Sequence, residues 1–87
     1  MNLKSVTYFL AACAEGSFTE AAEICGVSQP TLSMALRRLE RELGLLLFEQ
    51  KCPARLTHEG RQLRPLFEEL NICADKLFKE AGHLRHH

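Results

Sequence analysis

Apolar residues recur at helical spacing in the middle of the chain. Ser28 is a suitable N-cap for a helix that begins there, and Pro30 follows in the first turn, where its missing backbone N–H costs nothing. The pattern predicts an amphipathic helix over about 28–43, with polar and cationic side chains outside the apolar stripe. The stripe consists of four leucines, Leu32, Leu36, Leu39 and Leu43.

Two shorter helices are predicted upstream of this one. Helical spacing of apolar residues predicts the first over 2–14, and Gly16 is expected to end it. Ser17 and Glu20 match a capping box that begins a second helix over 18–25. The glycine that follows allows a sharp turn, so the order of elements is that of a helix-turn-helix. A chance helical hairpin would give a similar pattern.

After Gly44 the pattern changes from helical to strand-like. An apolar run over 45–49 is typical of a strand, and a turn-like segment follows it before a short return strand over 55–56. We predict a small hairpin, or wing, over about 46–56, with Lys51 and Arg55 at or near its tip. A two-stranded hairpin is not stable alone, so this one must pack on the helices.

Thr57 is expected to cap a long final helix over 58–87. Its apolar residues alternate in steps of four and three, which is a heptad repeat. Pro65 should kink or locally open this helix, whereas Ile72 and Phe78 lie off the repeat and are expected to pack on the domain. We predict that the repeat pairs two copies of the chain; packing on its own domain alone is the alternative. The repeat consists of Leu63, Phe67, Leu70, Ala74, Leu77, Ala81 and Leu84.

Composition limits the classes of function. The chain has 87 residues, of which 46% are hydrophobic, so it can form one core but no large enclosed active site. No apolar run approaches the roughly 20 residues of a membrane span, and no signal peptide is recognisable. The four cysteines have irregular spacings, which argues against zinc or disulfides and for a reducing cytoplasm. Two of them, Cys13 and Cys25, are expected to be small buried hydrophobes.

The charge is balanced, with 11 basic and 11 acidic residues. DNA-binding domains are usually basic, but five of the six basic residues in the first 60 positions lie between Arg37 and Arg55. A basic face is therefore compatible with the neutral total, and weak non-specific binding is expected. His83 and His87 could share a helix face, but a frayed terminus explains them better, and neither a metal site nor a cofactor is predicted.

Four motifs follow one another along the chain: FLAACAEGSFTEAAE, VSQP-x-LS, RRLE-x-ELG-x-x-LF and RLT-x-x-G. Together they resemble the N-terminal DNA-binding domain of LysR-type transcriptional regulators, over about 3–70. The resemblance implies a mainly α fold, with a winged helix-turn-helix over 1–57 and a linker and dimerisation helix over 58–87. It also implies a bacterial, cytoplasmic regulator that binds a dyad-symmetric promoter site as a homodimer, or as a tetramer at full length. A small-molecule effector would act only through a C-terminal domain outside these 87 residues.

The resemblance also implies which residues contact DNA. Glutamine can bind adenine through two hydrogen bonds, serine and threonine can contact either type of base, and arginines can bind phosphates. For Lys51 and Arg55 of the wing, the residue pattern itself predicts contact with a phosphate or the minor groove, and a solvated turn is the alternative. The residues that match the family's contacting segments are Ser17, Phe18, Ser28, Gln29, Pro30, Thr31, Ser33, Arg37 and Arg38.

Three positions depart from the family's pattern. Met34 and Ala35 stand where arginine and glutamine are frequent, and Gln50 stands where arginine is usual. Each lost phosphate contact should flatten the salt dependence of binding by about one unit of log–log slope. We therefore expect weaker DNA binding per subunit, with an apolar contact such as Met34 against a thymine methyl.

Two other classes of function remain open at this point. The neutral charge and Met34 favour a dimeric winged-helix protein-interaction module with weak or no DNA binding. Pairing of the arginines with Glu40, Glu42 and Glu49 would support that class, whereas unpaired arginines on one surface would support DNA binding. A small enzyme is the weakest alternative, because Cys52 and His58 lack an orienting acid beyond the adjacent glutamate and a solvated turn explains them.

Overall fold

The computed structural model describes residues 1–51 and 53–86, and for Gln50 and Lys51 it describes the backbone alone. Within this part the architecture is the winged helix-turn-helix that the sequence predicts. Its first strand begins three residues later than expected, because Leu45 N donates to Glu40 O at the end of the third helix. The elements are α1 (Leu3–Glu15), α2 (Phe18–Cys25), α3 (Gln29–Leu43), β1 (Phe48–Lys51), β2 (Ala54–Leu56) and α4 (His58–Arg85).

Short polar side chains begin all four helices. At each N-cap an oxygen accepts a hydrogen bond from the backbone N–H three residues later, which satisfies a donor that has no partner within the helix. Gly26 ends α2 with φ +71° and has open space around its Cα, so its backbone angle, and not crowding, favours glycine there. The four N-caps are Asn2, Ser17, Ser28 and Thr57.

The core is centred on Phe9 of α1, which is 0% exposed. Its ring centroid lies 4.2 Å from that of Phe67 in α4 and 5.6 Å from that of Phe48 in β1. Three leucines of the predicted stripe on α3 are buried against this centre, whereas Leu43 is exposed because the last turn of α3 extends beyond the core. One cluster of apolar contacts thus connects the three long helices with the hairpin.

Polar contacts attach the hairpin to the helices. One carboxylate oxygen of Glu40 in α3 accepts hydrogen bonds from Leu47 N at 2.7 Å and Phe48 N at 3.2 Å. At the other strand, Ala54 N donates to Gly16 O at 2.9 Å. The strands pair antiparallel, with a register irregularity between Phe48 and Gln50. The prediction that the hairpin packs on the helices is therefore confirmed.

The start of α4 is attached to the segment that precedes β1. Thr57 N donates to Leu47 O at 2.9 Å, and Thr57 Oγ1 donates to Leu46 O at 2.6 Å. Gly60 lies so close to Leu47 that a Cβ added there would be 2.3 Å from the Leu47 carbonyl oxygen. In the RLT-x-x-G motif, the threonine therefore caps α4 and the glycine allows the close contact with the Leu47 backbone.

Helix α4 continues without interruption across Pro65, so no local opening is found there. Of the predicted dimerisation seam, Phe67 is 4% exposed and lies in the domain's own core, whereas half-buried Leu63 packs against that core and its part in a seam stays a prediction. The expectation that Ile72 and Phe78 pack on the domain is wrong, because both are exposed. The helix contributes to the core through its early turns and then extends away from it.

Cys13 and Cys25 are half-buried and not fully buried as expected. Burial raises the pKa of the Cys13 thiol to about 11, against an opposing effect of the nearby Arg64 guanidinium. Burial also raises the pKa of Cys25. In residues 1–51 and 53–86 no cluster of potential metal ligands occurs, and no helix there is long and apolar enough to cross a membrane. Cys52 and His87, discussed above as candidate chemical groups, lie outside the described residues.

Candidate nucleic-acid interface

The first two turns of α3 present side chains on the surface of the molecule. Met34 is 63% exposed, and Pro30 and Thr31 are exposed as well. Pro30, Met34, Arg37 and Arg41 are separated by steps of four, three and four, so they share the face of α3 opposite the buried leucines. The major groove of B-DNA admits one α-helix, so side chains on this face of α3 can reach base edges there.

Internal hydrogen bonds orient the polar side chains of this turn. Ser28 Oγ accepts from Thr31 N at 3.2 Å and donates to Thr31 Oγ1 at 2.8 Å. Gln29 Nε2 donates to Ser33 Oγ at 2.5 Å, one helical turn further along. Donors and acceptors at the N-terminus of α3 are therefore held in place before any ligand binds.

Two residues that the family resemblance assigns to DNA contact have buried side chains. Ser33 is 8% exposed and lies beside Phe18, which is also buried and whose ring packs on that of Phe48. Ser33 and Phe18 therefore contribute to packing within the domain, and their contact with DNA stays a prediction. Ser17 is half-buried, and its hydroxyl oxygen caps α2 by accepting from Glu20 N at 3.2 Å.

The arginines of α3 are exposed and unpaired. In the part of the chain that the structure describes, Arg37, Arg38 and Arg41 form no ion pair, because the Glu40 carboxylate accepts from backbone N–H groups instead. The ion pair recorded there joins the N-terminal amine of Met1 to Glu42. Among the sequence alternatives, this arrangement matches the one expected of a DNA-binding surface.

The hairpin carries the other predicted cationic contacts. Arg55 in β2 is exposed, and its backbone pairs with that of Gln50 in β1. The backbone of Lys51 pairs with Ala54 at the end of the hairpin, while its side chain lies outside the described atoms. The expected position of both residues at or near the hairpin tip agrees with this register.

The distal part of α4 exposes an apolar stripe, which we call the α4 stripe. It begins at Leu66 because Leu63 and Phe67 are used in the core. Its residues recur at helical spacing, and two alanines of the predicted seam, Ala74 and Ala81, lie half-buried along the same helix. The α4 stripe consists of Leu66, Leu70, Cys73, Leu77 and Leu84.

Sequence reasoning missed three residues that support this surface. The sequence presents Glu40 as a partner for arginines and gives no sign that it binds the backbone before β1. The motif that contains Gly60 does not show that this glycine lies against Leu47. The spacing of four between Gln29 and Ser33 is a sequence signal for a contact within the helix.

Comparison with known proteins gives a consistent result. A family model described as "Bacterial regulatory helix-turn-helix protein, lysR family" matches residues 3–61. The HTH-type transcriptional regulator YtlI of Bacillus subtilis is 46% identical over 61 residues, which are 70% of this chain and 20% of that protein. The chain thus spans about a fifth of the length of this curated relative.

Solved structures resemble nearly the whole chain. A full-length OxyR from Pseudomonas aeruginosa superposes with a TM-score of 0.90 at 37% identity, over 95% of this chain and 28% of that one. A BenM DBD in complex with benA site 1 DNA gives a TM-score of 0.87 at 31% identity, over 98% of this chain and 97% of that one. The similarity therefore includes the distal half of α4, beyond the residues that the family model matches.

Proposed function

This chain belongs to the lysR family of bacterial regulatory helix-turn-helix proteins, and on that premise we propose that it binds double-stranded DNA sequence-specifically as a homodimer. Helix α3 enters the major groove, and the β1–β2 hairpin contacts the backbone or the minor groove. The observation that carries the proposal is the exposed first turn of α3, whose polar side chains are oriented by hydrogen bonds within the helix. A polar turn of this kind matches the donors and acceptors on base edges.

Base contacts are assigned to Gln29, Pro30, Thr31 and Met34. Gln29 has an amide that can bind an adenine edge, and the Met34 side chain can pack against a thymine methyl. Ser28 holds Thr31 in place and lies close enough to the helix N-terminus to face a phosphate. The similarity to a BenM DBD solved in complex with DNA supports DNA binding by this chain.

Phosphate contacts are assigned to Arg37 and Arg38 on α3 and to Lys51 and Arg55 on the hairpin. The lack of ion pairs around the α3 arginines in the described part of the chain supports this assignment, because an arginine already paired with a carboxylate gains less from a phosphate. Ser17 Oγ caps α2 by accepting from Glu20 N, so Ser17 can bind a phosphate through its backbone N–H or by donating its hydroxyl hydrogen.

Dimerisation is assigned to the α4 stripe. An exposed row of large apolar side chains on a helix that extends beyond its own core is typical of a helix-pairing surface. The 28 residues of α4 correspond to about 42 Å at 1.5 Å per residue. A second copy would cover the stripe and place two α3 helices on successive major grooves of a dyad-symmetric site.

The regulatory part of the proposal concerns a longer protein. YtlI, of which the matched residues cover 20%, is a transcriptional regulator about three and a half times the length of this chain. We propose that a small-molecule effector acts through a separate domain and that any tetramer also depends on that domain. A regulator of promoter DNA in a bacterium would act in the cytoplasm.

Selection from random double-stranded DNA tests the proposal. The wild-type chain should enrich a dyad with half-sites about one helical turn, or a small multiple of it, apart. Leu77→Asp, which places a charge in the α4 stripe, should enrich single half-sites or bind the dyad about tenfold more weakly. Phe78→Asp is the matched control, since Phe78 is equally exposed but lies off the stripe, and it should retain the dyad.

The outcomes of this selection separate the two parts of the proposal. No enrichment at low salt by a folded, dimeric chain would contradict DNA binding and support a protein-interaction module. Enrichment of the same dyad by Leu77→Asp and wild type, with equal affinity, would contradict the assigned dimer surface while leaving DNA binding intact.

Salt dependence tests the phosphate contacts separately. Arg37→Ala should weaken binding to specific and random DNA by similar factors and flatten the log–log salt slope by about one unit. Lys79→Ala removes the same charge from the distal part of α4 and should leave the slope unchanged. Fluorescence anisotropy over a salt series measures both. A wild-type slope as steep as that of a strongly basic domain would contradict the expected loss of cationic contacts at Met34 and Gln50.

A further inference from the structure

We propose that buried Ser33 is a positioning residue that orients the Gln29 carboxamide so that Gln29 reads adenine in preference to guanine. This inference rests on the proposed function, since it concerns a base contact of α3. It gives Ser33, which is 8% exposed, an indirect role in place of the direct DNA contact that the family resemblance implies.

The geometry places the two side chains in contact along the helix. Gln29 is the first residue of α3 and Ser33 lies one turn later, a separation at which helical side chains are neighbours. Gln29 Nε2 donates to Ser33 Oγ at 2.5 Å. Ser33 is 8% exposed, whereas Gln29 lies at the surface of the first turn, so the contact connects a buried anchor to a partly exposed amide.

The hydrogen bond uses one of the two N–H groups of Nε2. The other N–H and the carbonyl oxygen Oε1 have no partner among the described residues. A glutamine side chain has two N–H donors and a carbonyl oxygen with two lone pairs. In this orientation it therefore offers a ligand one N–H donor and the acceptor Oε1. Without the serine, the terminal torsion of glutamine has broad, roughly two-fold preferences and the amide can turn over.

The remaining donor and acceptor match one purine and not the other. In the major groove adenine presents the acceptor N7 and the donor N6, whereas guanine presents two acceptors, N7 and O6. The held amide complements adenine through N–H to N7 and Oε1 to N6. In the orientation found, Nε2 lies against Ser33 Oγ; an amide turned over about its terminal torsion would present Nε2 where Oε1 now lies, and would then offer donors alone and complement guanine. Loss of Ser33 should therefore weaken the preference for adenine over guanine more than it weakens the contact of Gln29 with the base.

The test compares two DNA sites with one protein preparation. The adenine that Gln29 contacts is first located as the position at which Gln29→Ala loses its base preference. Affinities are then measured by competition for the selected site and for its A-to-G variant. Wild type should prefer adenine by about tenfold or more, the value expected for a two-bond contact. Ser33→Ala should reduce this ratio to about twofold.

Two further variants make the result specific. Ser33→Cys keeps the packing volume but accepts hydrogen bonds weakly, so it should also lower the adenine preference. The double variant Gln29→Ala with Ser33→Ala should lose no more of the adenine preference than Gln29→Ala alone, because the two side chains act through the same contact. Since each ratio comes from one preparation, partial unfolding of a variant cancels.

The possible failures are distinguishable. If wild type binds no defined DNA site, the proposed function itself fails. If wild type binds its site and both Ser33 variants keep the wild-type ratio of adenine to guanine affinity, only the positioning role is overturned. A Ser33→Ala variant that loses affinity equally for both bases would likewise assign Ser33 a structural role alone.

Discussion

Replacing Gly60 with alanine is expected to lower the free energy of unfolding by about 3 kcal/mol or more. A methyl group at this position would lie 2.3 Å from the Leu47 carbonyl oxygen and 3.1 Å from Leu56 Cδ2. Overpacking a well-filled site typically costs about 1–3 kcal/mol. The cost here should reach the upper end, because the obstacle is backbone that is itself held by Thr57 N at 2.9 Å.

Urea denaturation followed by circular dichroism measures this effect. Gly82→Ala is the matched control in the same helix: its Cβ would meet only the end of the Arg85 side chain at 3.6 Å. Because alanine favours helices more than glycine, that control should be stabilised by about 0.5–1 kcal/mol. Equal stability of Gly60→Ala and wild type would mean that the α4 start and the β1 segment are not in close contact.

Replacing Phe9 with alanine is expected to cost about 3–5 kcal/mol, the range for deleting a buried aromatic ring. Phe9 is fully buried and its ring contacts those of Phe48 and Phe67. The cavity would thus open between α1, β1 and α4 at once, and no single element could close it by a small shift. For a domain of this size such a loss leaves little or no net stability.

The control for this prediction makes the same change on the surface. Phe78→Ala deletes an identical ring that is 64% exposed and should change the free energy of unfolding by less than about 0.5 kcal/mol. Thermal and urea unfolding at a protein concentration that keeps the chain monomeric provide both values. Similar losses for the two variants would contradict the placement of the core around Phe9.

The sequence predicts the elements of this fold well because their boundaries depend on local chemistry. Ser17, Ser28 and Thr57 act as N-caps where the sequence places them, since each hydroxyl needs only a backbone N–H three residues later. The turn between α2 and α3 was recognisable for the same reason, because glycine readily adopts the positive φ that Gly26 requires.

The tertiary partners of individual side chains were less predictable. The heptad repeat predicts that Leu70 and Leu77 pair two copies of the chain, and both are exposed, but the repeat cannot show that Phe67 lies against Phe9. The spacing of apolar residues is the same whether the partner is the chain's own core or a second copy. The burial of early α4 residues therefore became visible only in the structure.

The candidate site divides in the same way. Exposure of Pro30 and Met34 follows from their position opposite the buried leucines of α3. The burial of Phe18 and Ser33 does not follow from the motif that contains them, because a family motif includes structural residues as well as contacting ones. The DNA-contacting roles of the exposed residues and of the hairpin cations remain predictions that the binding experiments above test.

The double hydrogen bond of Glu40 has a consequence for the DNA as well. Its carboxylate joins α3 to the backbone at the base of the hairpin and so fixes the position of α3 relative to the hairpin. Under the proposed binding mode, the protein cannot adapt the distance between these two elements to each operator. The duplex must adjust instead, by bending or by changing its groove width, at an energetic cost that depends on base sequence. Base steps that neither α3 nor the hairpin contacts should therefore contribute to operator preference through their flexibility.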